Sequence, residues 1–182
     1  MKSHYIIIAG PQAAGKTTAL KFLSQYYPNV CFFRESREIA NSKYKIQGAV
    51  SITKKDEIQA ISIDFKRMQA VLERLENKIY IDECNIFNLA HASMHGILIK
   101  EYFKDYCNLL ERLNTRIFFL DIKPEISWQR REKQYRERIK SFPPREQETM
   151  MQEYKKYIEA VYPNLLKLYN KITLPKFKLN IK

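Results

Sequence analysis

The chain has 182 residues, a length typical of one domain. Hydrophobic residues make up 45% of it, which is enough for a packed core and argues against a disordered chain. Its 32 Lys and Arg residues outnumber its 20 Asp and Glu residues, and the net charge of +12 indicates an anionic partner without distinguishing nucleic acid, a membrane surface and phosphorylated small molecules.

Strand and helix patterns alternate along the chain. In chain order, the predicted strands are residues 5–9, 29–33, 78–81 and 116–121, with a last short strand within 171–182. The predicted helices are residues 16–26, 56–77, 87–113 with a break near Gly96, 124–140 and 146–170, while 41–55 are predicted to be irregular and exposed. This alternation predicts an α/β fold with a parallel sheet and helices on both faces, in which ligands bind at the carboxyl ends of the strands.

Residues 10–17 read Gly-Pro-Gln-Ala-Ala-Gly-Lys-Thr, a full match to the GxxxxGK[ST] pattern between a predicted strand and a predicted helix. The glycines let backbone N–H groups turn toward phosphate oxygens, Lys16 can reach the terminal phosphates, and the Thr17 hydroxyl can ligate Mg2+. The dipole of the following helix favours an anion at the same place. The residues predicted to bind a nucleoside triphosphate are Gly10, Ala13, Ala14, Gly15, Lys16, Thr17 and Thr18.

A carboxylate is expected to help hold the metal. Asp82 lies at the end of the predicted strand of residues 78–81, which is the position of a Walker B carboxylate, so Thr17 and Asp82 are the predicted Mg2+ ligands. The alternative for Asp82 is a strand-terminal cap. Glu83 beside it could orient water in an ATPase or be structural.

Three further segments carry chemistry: Phe33-Arg34-Glu35, the run Phe-Lys-Arg-Met-Gln at 65–69, and the Leu-Asp-Ile-Lys-Pro-Glu of 120–125 followed by four arginines within 130–138. Together with the loop at 10–18 they make the sequence resemble, patchily over residues 5–169, the P-loop kinases of nucleosides and nucleotides, particularly the thymidylate kinase and deoxynucleoside kinase group. The resemblance implies a three-layer P-loop NTPase fold in a single domain, 1–182, with an arginine-bearing lid at about 125–145.

The resemblance also implies roles for individual residues. Glu35 could accept the proton of an acceptor hydroxyl, or Arg34 could bind a substrate phosphate, although either could instead form a surface ion pair. Lid arginines stabilise the charge of phosphoryl transfer, and helical spacing lets about two of the four face the phosphates; we expect Arg131 and then Arg136. The implied catalytic residues are Lys16, Glu35, Asp82, Arg131 and Arg136. The implied substrate-binding residues are Arg34, Phe65, Arg67 and Gln69, with core packing as the slightly favoured alternative for Phe65.

Two departures count against thymidylate as the substrate. Thymidylate kinases carry Asp-Arg-Tyr where this chain has Asp82-Glu83-Cys84, and their Arg-Glu-Pro proline is Ser36 here. His91 and His95 stand at a spacing that can place two metal ligands on one helix face, but without a third ligand they are interpreted as helix-surface histidines.

The primary hypothesis is a Mg2+-dependent kinase that transfers the ATP γ-phosphate to a nucleoside, nucleotide or similar small acceptor. A polynucleotide kinase and a regulatory P-loop ATPase remain alternatives, so nucleic acid stays open as a partner, as does a homodimer. Three cysteines without CxxC spacing favour a reducing compartment, and no segment has the roughly 18 apolar residues of a membrane span. We therefore expect a cytoplasmic protein without a membrane partner.

Overall fold

A computed structural model of the chain describes residues 4–27, 29–74 and 78–181. Within these residues, five strands form one sheet in the order β2-β3-β1-β4-β5, and every neighbouring pair is parallel. The strands are β1 His4–Ala9, β2 Val30–Phe33, β3 Ile79–Glu83, β4 Arg116–Asp121 and β5 Lys176–Asn180. The predicted α/β fold with a parallel sheet is confirmed, including the last short strand.

Helices follow the strands and cover the sheet. They are α1 Lys16–Tyr26, α2 Ser36–Ala40, α3 Tyr44–Gln47, α4 Lys54–Glu73, α5 Asn88–Met94, α6 Ile99–Arg112, α7 Pro124–Ile139 and α8 Pro144–Lys171, with 3-10 turns at Gly48–Ser51 and Asn85–Phe87. The predicted break near Gly96 separates α5 from α6, and Gly96 has a φ of 70°. No helix in the described part of the chain is long and apolar enough to cross a membrane.

The alternation of side chains along β1 places apolar clusters on both faces of the sheet. Ile7 packs in the main core, which holds buried residues of α4, α5, α6 and α8. Its neighbour Ile8 packs on the opposite face with Leu20 of α1, and Ile126 of α7 contacts that cluster. Both faces of β1 are therefore buried, as its continuous apolar sequence predicts.

The prediction that residues 41–55 are irregular and exposed is wrong. This stretch contains α3, a 3-10 turn and the start of α4, and it buries Tyr44, Ala49 and Ile52 in a third apolar cluster. Their partners come from α7 and α8, about ninety residues later in the chain. The sequence of residues 41–55 alone therefore does not indicate that these side chains are buried. The helix α4 begins at Lys54 rather than at the predicted residue 56 because Thr53 and Asp56 form a capping box. The predicted end of this helix, at residues 75–77, lies outside the described residues.

Candidate active site

A cavity of about 630 Å³ opens at the carboxyl end of β1. The loop of residues 10–17, α1, the segment after β2, the end of β3 and α7 all contribute to its walls. Six of the lining side chains are cationic and three are acidic. The cations are Lys16, Lys21, Lys45, Arg130, Arg131 and Arg138, and the acids are Glu35, Glu38 and Glu83.

Two glycines allow the loop to take its path. A Cβ on Gly10 would lie 2.3 Å from the backbone oxygen of Leu120, so only glycine lets the loop pass this close to β4. Gly15 caps α1 with a φ of 94°, and a Cβ there would meet no atom within 4 Å. Its open side faces the cavity, which leaves space for a bound group beside the helix N-terminus.

Lys16 lies in the fold of the loop. Its Nζ donates hydrogen bonds to the carbonyl oxygens of Gly10 and Pro11, both at 2.9 Å. Of the residues predicted to bind the triphosphate, Ala13, Gly15, Lys16, Thr17 and Thr18 line the cavity. Gly10 lies against β4 instead, and the Ala14 side chain packs among the apolar residues beside Ile8.

Thr17 meets a different carboxylate from the predicted one. Its Oγ1 donates a hydrogen bond of 3.3 Å to Glu83 Oε1, and Glu83 lines the cavity. Asp82 lies on the other face of the sheet, where it accepts hydrogen bonds from the Tyr5 hydroxyl at 2.5 Å and from Asn85 Nδ2 at 2.8 Å. The pairing of Asp82 as a metal ligand with Thr17 is thus not seen, because successive residues of a strand point to opposite faces.

Burial acts on both carboxylates of this pair. It raises the pKa of Glu83, against the attraction of Lys16 and the hydrogen bond from Thr17. It raises the pKa of Asp82 to about 7, with a further increase from nearby Asp64. Thr17 and Glu83 together offer hydroxyl and carboxylate oxygens at the cavity wall, the oxygen donors that suit Mg2+. The fit is to Thr17 and Glu83, and Asp82 takes no part in it.

Glu35 follows β2 and reaches the same cavity. It is 7% exposed, it forms an ion pair with Arg37, and it accepts a hydrogen bond of 3.0 Å from the Tyr44 hydroxyl. Burial alone would raise the pKa of Glu35, but Arg37, Lys16 and the hydrogen bond from Tyr44 outweigh it and hold that pKa below its usual value. The side chain is therefore an anion at neutral pH, and Glu35 lines the same cavity as Lys16.

The arginines of α7 divide between the cavity and the solvent. Arg131 lines the cavity and donates hydrogen bonds from Nε to the Tyr154 hydroxyl at 3.3 Å and from Nη1 to Gln134 Oε1 at 2.6 Å. Arg136, contrary to the prediction, is not among the lining residues; it lies 3.4 Å from Glu132 with half of its side chain exposed. Arg130 and Arg138 line the cavity as well, so three of the four arginines reach it rather than the expected two. Seven residues make about two helical turns, so Arg138 shares the face of Arg131, and this spacing could have identified it from the sequence.

None of the four predicted substrate-binding residues lines the cavity. Arg34 and Gln69 are exposed, and Phe65 packs on the Tyr106 ring with the centroids 4.6 Å apart, which is its core-packing alternative. Arg67 extends under the start of α2, where Nη1 donates to the Arg34 carbonyl oxygen at 2.7 Å and to Ser36 Oγ at 3.1 Å.

Arg67 also lies beside two buried carboxyl groups. Its Nη1 lies 3.6 Å from Asp82 and 4.0 Å from Asp64, and its guanidinium covers the Phe33 ring at 5.1 Å. Because these contacts join α4 to the end of β2 and to β3, Arg67 supports the segment from which Glu35 projects. Its contacts in this structure are structural.

A buried polar cluster behind Glu35 was missed by the sequence reasoning. Arg37 is 1% exposed and donates from Nη1 to the Tyr157 hydroxyl at 3.1 Å, and Tyr157 is hydrogen bonded to Nδ1 of His91. His91 is 2% exposed, so the interpretation as a surface histidine is wrong for this residue. The partners lie on α2, α5 and α8, and nothing in their local sequence signals that they meet.

The comparisons with known proteins agree with this architecture. The AAA domain family matches residues 5–157 of the chain. No curated protein matches the sequence.

Three solved structures are similar to the whole fold. A deoxyadenosine kinase from M. mycoides with bound dATP has a TM-score of 0.56 and 20% identity over 97% of this chain and 90% of that chain. A second structure of deoxyadenosine kinase from M. mycoides, with the products dCMP and a flexible dCDP bound, has a TM-score of 0.55 and 16% identity over 96% and 89%. The YorR protein from Bacillus subtilis, in complex with phosphorylated GDP, has a TM-score of 0.55 and 15% identity over 97% and 85%. At these identities the likeness establishes the P-loop kinase fold.

Proposed function

The chain belongs to the AAA domain family. From this membership and the geometry of the cavity, we propose that it is a Mg2+-dependent kinase acting on a nucleoside, nucleotide or similar small acceptor. The observation that carries the proposal is that Glu35, an ionised carboxylate, faces the same cavity as Lys16, Thr17 and Arg131. A base for the acceptor and cations for the phosphates are thereby brought together. The similar fold of deoxyadenosine kinase supports the choice of acceptor class.

Each residue has a part in the proposed reaction. Glu35 takes the proton of the acceptor hydroxyl as the hydroxyl oxygen forms a bond to the γ-phosphorus of ATP. The bond between that phosphorus and the β–γ bridging oxygen breaks, which releases ADP. Lys16 and Arg131 stabilise the negative charge on the phosphoryl oxygens. Thr17 and Glu83 would hold Mg2+, which when bound would supply positive charge to the phosphates.

The test offers purified protein ATP and Mg2+ with a panel of nucleosides and nucleotides, and measures phosphorylated products by chromatography. E35Q should lower turnover by about 100-fold because a general base contributes at least that much, whereas ATP binding should persist. The matched control is E38Q, since Glu38 also lines the cavity, whereas among the described residues the hydrogen bonds from Arg37 and Tyr44 go to Glu35. Normal ATP binding with no phosphorylated product from any acceptor would overturn the proposal.

A second candidate function is supported by the contact between Thr17 and Glu83. A carboxylate beside the metal-binding hydroxyl could orient water, as a regulatory ATPase requires. ATP hydrolysis without an acceptor, abolished by E83Q and unaffected by E35Q, would select this function.

An oligonucleotide with a free 5′-hydroxyl belongs in the same panel of acceptors, because strongly salt-sensitive phosphorylation of it would select a polynucleotide kinase.

A further inference from the structure

Arg37 is a buried cation whose hydrogen bonds lead to Glu35. One terminal nitrogen, Nη2, donates to Glu35 Oε1, and the other, Nη1, donates to the Tyr157 hydroxyl at 3.1 Å. The guanidinium also covers the Tyr44 ring at 5.5 Å. Arg37 is not among the residues that line the cavity, but both residues it contacts on that side, Glu35 and Tyr44, do line it.

The second hydrogen-bond partner of Arg37, Tyr157 with His91 behind it, carries no negative charge that would compete with Glu35. Burial, followed by Arg37 and Lys16, holds the pKa of His91 well below its usual value, so the imidazole is neutral. The Tyr157 hydroxyl accepts from Arg37 and is also hydrogen bonded to Nδ1 of the neutral His91. The charge of Arg37 is therefore directed to Glu35, while α8 and α5 fix the opposite side of the guanidinium.

Lys16, the other cation that lowers the pKa of Glu35, forms its hydrogen bonds with backbone carbonyl oxygens instead. Lys16 Nζ donates to the Gly10 and Pro11 carbonyl oxygens within the loop of residues 10–17, the phosphate loop. A planar guanidinium with two donor edges can bind Glu35 and Tyr157 at once, whereas an ammonium acts as a point charge.

We propose that Arg37 is the positioning residue for Glu35: it holds the carboxylate toward the cavity in its anionic form, anchored from behind by Tyr157. This inference rests on the proposed function in assigning Glu35 as the base. The network itself rests on contacts among buried side chains.

Several charged or titratable groups face Glu35 from the elements packed around it. They are Lys16 of α1, Arg37 of α2, Tyr44 of α3, Glu57 of α4, Glu83 and Cys84 at the end of β3, Arg131 of α7 and Tyr157 of α8. Burial opposes the anion, and Arg37 is the largest of the influences that favour it. Loss of Arg37 should therefore favour the protonated form of Glu35.

The kinetic test compares R37Q and R37K with wild type in pH–rate profiles of the kinase reaction. R37Q should lower kcat about tenfold or more, leave KM for ATP nearly unchanged, and move the acidic limb of the profile to higher pH. R37K should recover part of the loss because it restores the charge without the second anchor. R136Q is the matched control, since Arg136 is a solvent-exposed arginine outside the cavity. Equal profiles for wild type and R37Q would overturn the proposal.

A second measurement does not depend on activity. Titration of carboxyl groups by 13C NMR, with the Glu35 signal assigned from E35Q, should give a midpoint that rises in R37Q. Y157F keeps the charge and removes one anchor, so it should give a smaller rise, and it serves if both Arg37 variants fail to fold. An unchanged Glu35 midpoint in a folded R37Q or Y157F would overturn the positioning role. An inactive wild type would overturn only the proposed function.

Discussion

The Thr17 hydroxyl donates to the Glu83 carboxylate at 3.3 Å, whereas the carboxylate of the preceding residue, Asp82, accepts from the Tyr5 hydroxyl on the opposite face of the sheet. The strand register explains the difference, because β1 pairs Ile7 with Asp82 and Ile8 with Glu83. Ile7 faces the main core and Ile8 faces α1. Of the two neighbouring carboxylates, Glu83 alone therefore lies on the side of the phosphate loop.

This relationship predicts opposite outcomes for two conservative substitutions. E83Q should make turnover respond more weakly to added Mg2+, and it should lower kcat by about 100-fold. A loss of this size is expected when a group that organises transition-state charge is removed. The amide can still accept the Thr17 hydrogen bond, so the temperature of unfolding should change little. Activity measured against Mg2+ concentration, with thermal unfolding as the check on folding, decides the point.

D82N is the matched control for E83Q. The amide oxygen that this substitution introduces would still accept from Tyr5, and position 82 lies outside the cavity, so the Mg2+ dependence should match that of wild type. If D82N instead abolished the Mg2+ response and E83Q spared it, the assignment of the metal-facing carboxylate would be reversed.

Arg131 and Arg136 should differ in the same way on α7. R131A should lower turnover by about 100-fold, because Arg131 lines the cavity where phosphoryl charge would develop. R136A should change neither turnover nor stability appreciably, because its exposed pair with Glu132 contributes about 0 to 1 kcal/mol. Steady-state kinetics at saturating ATP measure both variants. Equal losses would mean that α7 moves so as to bring Arg136 to the phosphates.

Gly10 and Gly15 should respond differently to alanine. In G10A the new Cβ would lie 2.3 Å from the Leu120 carbonyl oxygen, so the loop must move, and we expect a loss of more than about 2 kcal/mol in the free energy of unfolding. In G15A the space is open and the cost is that of a left-handed backbone, about 1 to 2 kcal/mol. Urea unfolding of the two variants in parallel gives both values. A G10A protein as stable as wild type would contradict the close approach.

Glu57 predicts a dependence of stability on pH. It is fully buried, and burial, only partly offset by Arg37, raises its pKa to about 7. In the unfolded chain this carboxyl ionises near its ordinary value, so between that value and pH 7 the folded state holds the extra proton and stability falls as pH rises. E57Q cannot ionise and should gain stability over wild type as pH rises from 5 to 8, by up to about 3 kcal/mol. Urea unfolding across this range tests it, and a difference independent of pH would contradict it.

The fold could be predicted from local patterns for most of its length. Three features are local in the sequence: the apolar run at 5–9, the loop with its two glycines and the helical pattern that follows. Each would take the same place in any parallel α/β sheet, so distant contacts are not needed to predict it. The segment at 41–55 could not be predicted, because Tyr44, Ala49 and Ile52 are buried by α7 and α8. Sequence spacing does not show which distant helix will cover such a segment.

The candidate site also has a part that local sequence predicts and a part that depends on distant contacts. The phosphate loop can be recognised from local sequence, since glycine at 10 and 15, lysine at 16 and threonine at 17 lie within a few residues of one another. Packing selects the distant side chains that join the loop: Glu83 rather than Asp82, and Arg138 rather than Arg136. The selection depends on the direction in which each side chain points. A strand reverses its side chains at every residue, a helix turns them by about 100°, and only the packing of β3 and α7 against the loop fixes which direction faces the cavity.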